Sequence, residues 1–167
     1  MGGQFSMHMW TSITVGFIFA FPFILWEIWK FISPALYDNE KKYAISFIIV
    51  SSILFFLGVL FGYYLIAPLS VQFFASYIIS PEISNAIDMD SYISLMKTSA
   101  IASGLLFELP IIIYFLTKIG LVNPEFLRKY RKYTLIIVLI IAAIITPPDV
   151  LSQIIVTIPI MVLYEVS

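Results

Sequence analysis

The sequence predicts an all-α fold, a polytopic membrane helix bundle with five transmembrane segments, and three observations predict it. Of 167 residues, 61% are hydrophobic and only 11% are charged, with a mean hydropathy of +1.02, whereas soluble domains carry about 25% charged residues. The apolar residues are gathered into runs, one of which carries no formal charge from Tyr43 to Ser80. Polar knots rich in Pro, Asn and charge separate the runs. The long runs exceed the roughly 20 helical residues that cross a hydrocarbon core.

The same composition narrows the function classes. Nine Lys+Arg against ten Asp+Glu leave a net charge of −1, which argues against nucleic acid as a partner. The absence of cysteine excludes disulfides, thiolate metal sites and Cys nucleophiles. A single histidine, His8, leaves no partner for a His-based metal site. There is no H-E-x-x-H, no nucleotide-binding loop and no Ser/His/Asp set, so neither an enzyme nor a cofactor is expected. Met1-Gly-Gly-Gln lacks the basic start of a cleavable signal peptide.

The first span runs from about Met7 to Tyr37, with Pro22 inside it removing a backbone donor. Its end turns amphipathic. Trp26 and Trp29 read as interfacial anchors, and Glu27 and Lys30, three apart, share a helix face. After the knot Tyr37-Asp-Asn-Glu-Lys-Lys comes the second span, Tyr43 to Ser80. As one helix its 38 residues would measure about 57 Å against a core of about 30 Å. Pro68 is expected to kink it, and Gly58 and Gly62 offer a small-residue contact face.

An acidic loop over Ser80 to Tyr92 precedes the third span, Ser91 to Ile119, which Gly120 should stop. This span carries Glu108 in Phe107-Glu-Leu-Pro, with no basic residue between Lys97 and Lys118. A carboxyl near the bilayer centre costs on the order of 3 kcal/mol on insertion scales and marks a functional site by default. The plain alternative is a structural hydrogen bond to a neighbouring helix. A second basic loop, Asn123 to Lys132, leads to a short fourth span, Tyr133 to Thr146. Thr146-Pro-Pro-Asp closes it, and Val150 to Tyr164 forms a fifth, interrupted by Pro159. Two adjacent short spans imply packing without tilt or a locally thinned bilayer.

Lys and Arg set the orientation. Lys41 and Lys42 follow the first span, and Lys118, Arg128, Lys129, Arg131 and Lys132 follow the third, while the other two loops hold none. The basic loops are therefore expected in the cytoplasm, with Met1 outside and Ser167 inside. An outside N-terminus without an export signal points to a further span upstream.

Several motifs stand in order along the chain. They are Phe21-Pro-Phe-Ile-Leu-Trp-Glu-Ile-Trp-Lys-Phe-Ile-Ser-Pro-Ala-Leu-Tyr-Asp-Asn-Glu-Lys-Lys, Phe56-Leu-Gly, Phe61-Gly-Tyr-Tyr, Pro68 and Gly104-Leu-Leu-Phe-Glu-Leu-Pro. Arg131-Lys-Tyr, Thr146-Pro-Pro-Asp-Val-Leu-Ser-Gln, Pro159 and Leu163-Tyr-Glu follow. Together they resemble the TatC family, the core receptor of the twin-arginine protein translocase, with Glu27 standing where the family has Gln. The family has six spans with both ends cytoplasmic, and this chain resembles spans two to six. It is thus expected to be one integral-membrane domain over 1–167, lacking the family's N-terminal cytoplasmic segment and first span.

The resemblance implies a multi-pass protein of the bacterial cytoplasmic (inner) membrane. Such a receptor binds twin-arginine signal peptides of folded cargo and works with TatA/TatB-type single-span partners in homo- and hetero-oligomers. It draws on the proton motive force. The site it implies for the signal peptide comprises Glu40, Phe31, Trp29 and Tyr37, with Glu40 meeting the arginine pair. Read without the resemblance, Glu40 is a helix-terminus carboxylate. Glu108 and Gln153 would form an intramembrane polar site for partner helices. Thr146, Pro147, Pro148 and Asp149 form an outside-facing motif, in which Asp149 reads equally as a helix N-cap. A small proton-coupled secondary transporter, with Glu108 as its relay, is the alternative.

Overall fold

The computed structural model describes residues 2–35, 41, 44–76, 88–146 and 150–166. The described chain is helical, as the hydropathy runs require. Helix α1 spans Gly2–Ile32 and is followed by a 3₁₀ turn, Ser33–Ala35. Helix α2 spans Ala44–Phe61, passes through a π-helical turn at Gly62–Ile66, and continues as α3, Ala67–Ser76. Then come α4, Met89–Lys118; α5, Pro124–Ile145; and α6, Val150–Val166. Among the described residues three helical stretches are long and apolar enough to cross a membrane: Gly3–Ile32, Ile45–Ser76 and Met89–Lys118. Ser152–Glu165 is a shorter apolar helix, as the sequence expects of the last span.

Helix ends follow local chemistry. Asp88 caps α4, its side chain accepting from the Met89 N–H at 2.9 Å, so this helix begins before the Ser91 read from hydropathy. At the other end Gly120 takes φ +75°. There the Leu121 N–H reaches the Leu116 carbonyl at 3.0 Å and the Gly120 N–H reaches Thr117 at 3.1 Å. That pair of bonds is the glycine-terminated C-cap in which only a residue without Cβ is unstrained.

One expectation is corrected. The basic stretch read as a loop from Asn123 to Lys132 is helical from Pro124 onward. Asn123 accepts from the Glu125 N–H at 3.1 Å, Pro124 occupies the first turn and Glu125 complements the helix dipole. Arg and Lys are good helix formers, so charge marks the membrane boundary here without ending the helix.

Pro68 produces a π-turn. Its ring would press on the carbonyl four residues back, Tyr64, and it has no N–H to give. The chain widens instead, and the Ala67 N–H reaches five residues back to the Gly62 carbonyl. Pro22, Pro110 and Pro159 lie inside α1, α4 and α6, which continue through them.

Two apolar clusters hold the bundle. Phe21, Leu25 and Trp29, one turn apart on α1, pack on Ile48 and Phe55 of α2, with Phe115 of α4 against them. The Phe21 and Phe55 rings stack with centroids 3.6 Å apart. The other cluster joins Ile66, Leu106 and Phe107 to Val138 and Ala142 of α5 and Val156 and Ile160 of α6. Lipid is as apolar as these side chains, so close packing rather than water exclusion holds spans together.

The α5–α6 hairpin has a polar tie as well. The Tyr164 hydroxyl donates to the Leu127 carbonyl at 3.0 Å and accepts from Thr134 at 3.4 Å. Beside it, Arg131 pairs with Glu165.

Candidate functional site

The closest helix contact is the antiparallel crossing of α2 and α4, and small residues create it. A Cβ on Gly58 would lie 2.6 Å from the Ser103 carbonyl oxygen and 2.8 Å from the Gly104 Cα. One on Gly62 would come closer still to the Ser99 carbonyl oxygen. From α4, a Cβ on Gly104 would meet the Phe55 ring at 2.8 Å and Val59 at 2.9 Å. Backbones approach this closely only where side chains are absent or short. Sequence spacing singled out Gly58 and Gly62, but their partners Ser99, Ser103 and Gly104 depend on the register between two helices.

Continuing down the crossing, Ser51 of α2 meets Glu108 of α4. Glu108 is 5% exposed and Ser51 fully buried. The Ser51 hydroxyl neighbours the Glu108 carboxyl, yet among the described residues neither Ser51 Oγ nor Glu108 Oε1 meets a hydrogen-bonding partner. Ser103 Oγ, higher in the seam, and Ser70 Oγ, beyond the π-turn, are buried in the same condition. The seam therefore carries unspent hydrogen-bonding capacity in a setting where each unsatisfied group is costly. One turn either side of Glu108, Leu105 and Ile112 are exposed, 48% and 42%. A short rotation of side chain or helix thus separates the sealed carboxyl from the bundle surface.

The other expected site residues are dispersed. Trp29 is buried, its ring 5.3 Å from that of Phe115 and 5.9 Å from that of Phe47. Phe31, two residues on, is 86% exposed. Tyr37 and Glu40 lie outside the described residues, as do Pro147, Pro148 and Asp149. Thr146 is buried, its hydroxyl donating to the Ala142 carbonyl at 2.9 Å. Gln153 is half-buried on α6, where its backbone carbonyl accepts from Thr157 at 2.7 Å. The pair Glu27–Lys30 forms at 2.7 Å, with Lys30 over the Trp26 ring.

Two grooves flank the crossing. One, of about 640 Å³, opens at the acidic end, where Asp90, Ser94 and Thr98 of α4 face Thr146 of α5 and Phe74 of α3. The second, of about 410 Å³, runs between α2 and α4 toward Lys118. Among the described residues no group of three or more His, Cys, Asp or Glu could hold a metal ion.

Spanning helices crossed on a glycine–serine seam, with a carboxyl sealed inside, define an integral membrane protein whose polar chemistry lies within the bilayer. The family model for the Sec-independent protein translocase protein TatC matches residues 1–159. The chain belongs to the TatC family. It is 48% identical over 165 residues to the Sec-independent protein translocase protein TatC of Blattabacterium sp. subsp. Periplaneta americana, covering 99% of this chain and 62% of that one. To TatCy of Bacillus subtilis it is 40% identical, covering 96% of this chain and 63% of the relative. A crystal structure of the twin-arginine translocase receptor TatC superimposes with a TM-score of 0.76 at 40% identity. That match covers 97% of this chain and 72% of the crystallised one. The chain thus spans less than two thirds of the length of these curated relatives.

Proposed function

We propose that this chain is the membrane-embedded part of a twin-arginine translocation receptor in the bacterial cytoplasmic membrane. In this reading residues 1–167 form a single domain that binds signal peptides with paired arginines. With TatA/TatB-type single-span partners it passes folded proteins across the membrane on the proton motive force. The observation that carries the reading is the match to TatC proteins along nearly the whole chain, the solved receptor included. The relatives give no support to a small proton-coupled transporter.

Residue chemistry supports the division of labour. A guanidinium presents a planar fork of donors that a carboxylate meets with two charge-assisted bonds, and Glu40 is the carboxylate proposed for that role. Phe31, on the same end of the bundle, offers exposed apolar surface to the peptide. Buried Trp29 fixes that end by packing on Phe47 and Phe115, and Tyr37 completes the patch. Glu108 and Gln153 are the proposed polar contacts for partner helices. Thr146 to Asp149 are proposed to face outside.

The test is peptide binding to a chain extended by the N-terminal portion that the longer relatives carry. Glu40→Ala should weaken binding of a twin-arginine peptide about ten- to a hundredfold, the worth of a charge-assisted bond. Glu40→Arg should weaken it further, and a Lys-Lys peptide should bind the parent poorly. Equal losses for peptides with and without the arginine pair would remove Glu40 from the site.

A further inference from the structure

The groove between α2 and α4 toward Lys118 is graded in polarity along its length. Ser46, in the first turn of α2, and Lys118, the last residue of α4, lie at one end because the helices run antiparallel. Phe47 and Val50 follow, and Leu54 and Ile111 lie deepest. From Ser46 to Leu54 the helix rises about 12 Å. By the distribution of Lys and Arg, the polar end sits at the cytoplasmic interface, and the apolar end reaches into the hydrocarbon of that leaflet. At the mouth the Lys118 ammonium stands 5.8 Å from the centre of the Tyr114 ring.

Its width decides between occupants. Spread over about 12 Å, 410 Å³ leaves a cross-section of about 35 Å². A helix with its side chains is about 10 Å across and needs more than twice that section. A single acyl chain is narrower. The one charge on the groove is positive and stands where phosphates lie, and an ammonium with three donors accommodates a phosphate beside other contacts.

We propose that this groove binds an anionic phospholipid of the cytoplasmic leaflet, one acyl chain between α2 and α4 and the phosphate on Lys118. The site is separate from the proposed peptide contact at Glu40, and its test does not depend on transport. The Glu108–Ser51 pair lies beside the deep end of the groove, so a bound chain would wall the carboxyl from that side.

Native mass spectrometry of the full chain in detergent would test this, with phosphatidylglycerol and phosphatidylcholine of identical acyl chains in competition. The parent should favour phosphatidylglycerol about fivefold, the effect of one interfacial cation. Lys118→Gln should bring the ratio to about one while total lipid stays the same. Val50→Trp, which fills the groove from a partly exposed wall, should lose both lipids. Ile53→Trp, on an exposed position outside the groove, should behave as the parent. An even ratio in the parent, an undiminished preference in Lys118→Gln, or full lipid binding by Val50→Trp would overturn the proposal. So would a photo-crosslinker at Val50 that captures a peptide helix in place of lipid.

Discussion

Glu108 is the residue on which structural and functional readings divide. Its carboxyl is sealed beside Ser51 with one oxygen unpartnered, so at rest it costs more than it contributes. Glu108→Met keeps the length of the side chain and removes the polar atoms. It should stabilise the bundle by about 1–3 kcal/mol, the penalty of a buried unsatisfied group, read as unfolding in detergent. The same variant should reduce crosslinking to single-span partners from probes at Leu105 or Ile112, whose side chains already stand at the surface. Lower stability in Glu108→Met would show instead that the carboxyl bonds within the bundle. Glu108 was legible in the sequence because a lone charge amid 20 residues lacking basic neighbours stands out. Ser51 and Ser103 were not, since a serine in an apolar run is ordinary until a second helix is laid across it.

Between elements, the α2–α4 crossing sets the distance from which the rest of the bundle is built. At Gly58 and Gly62 an added methyl meets backbone, which cannot give way without moving a helix. At Gly104 it meets the Phe55 ring, held by its stack on Phe21. At Gly16 it meets nothing within 4 Å. Alanine should therefore cost most at Gly62 and Gly58, about 1–3 kcal/mol from overpacking, and less at Gly104. At Gly16 it should stabilise slightly, through better helix propensity. Thermal unfolding of the four variants in one detergent checks the order, and a Gly16 cost equal to that of Gly62 would contradict the crossing. Hydropathy located these helices to within a few residues. It missed the helical basic stretch after Asn123, where the cap signal Asn-Pro-Glu carried more information than the charges did. The widened turn before Pro68 was legible only as a kink, because proline reports that a bond is lost and not how the chain recovers it.

At the scale of the molecule, orientation follows from the basic ends of α1, α4 and α5. The chain has no native cysteine, so single cysteines report cleanly. Ser91→Cys, on an exposed position at the start of α4, should react in sealed cells with an impermeant thiol reagent. Leu121→Cys, 72% exposed beyond the other end of the same helix, should be shielded until the membrane is opened. The reverse pattern would invert every assignment of a side to a loop. Overall architecture was the most legible level, since bilayer thickness imposes it on any sequence of this hydropathy. Which helices touch was the least legible, because lipid rewards each apolar face equally and only small residues discriminate.

The π-turn at Gly62–Ile66 has a consequence for chain length. A turn closed five residues back holds one residue more than one closed four back, so the chain beyond it is rotated by about 100° relative to an unbroken α-helix. Ile66, Ala67 and Ser70 are buried as a result, continuing inward from Ser51, Phe55, Gly58 and Gly62. The extra residue and Pro68 are thus two halves of one arrangement. Deleting Tyr64 alone should destabilise the protein by returning the proline ring to a carbonyl. Deleting Tyr64 together with Pro68→Ala should recover much of the stability, measured by unfolding in detergent. Equal loss in the single and double variants would refute the pairing. If it holds, relatives of this chain should tolerate a one-residue gap here only where the proline has also gone.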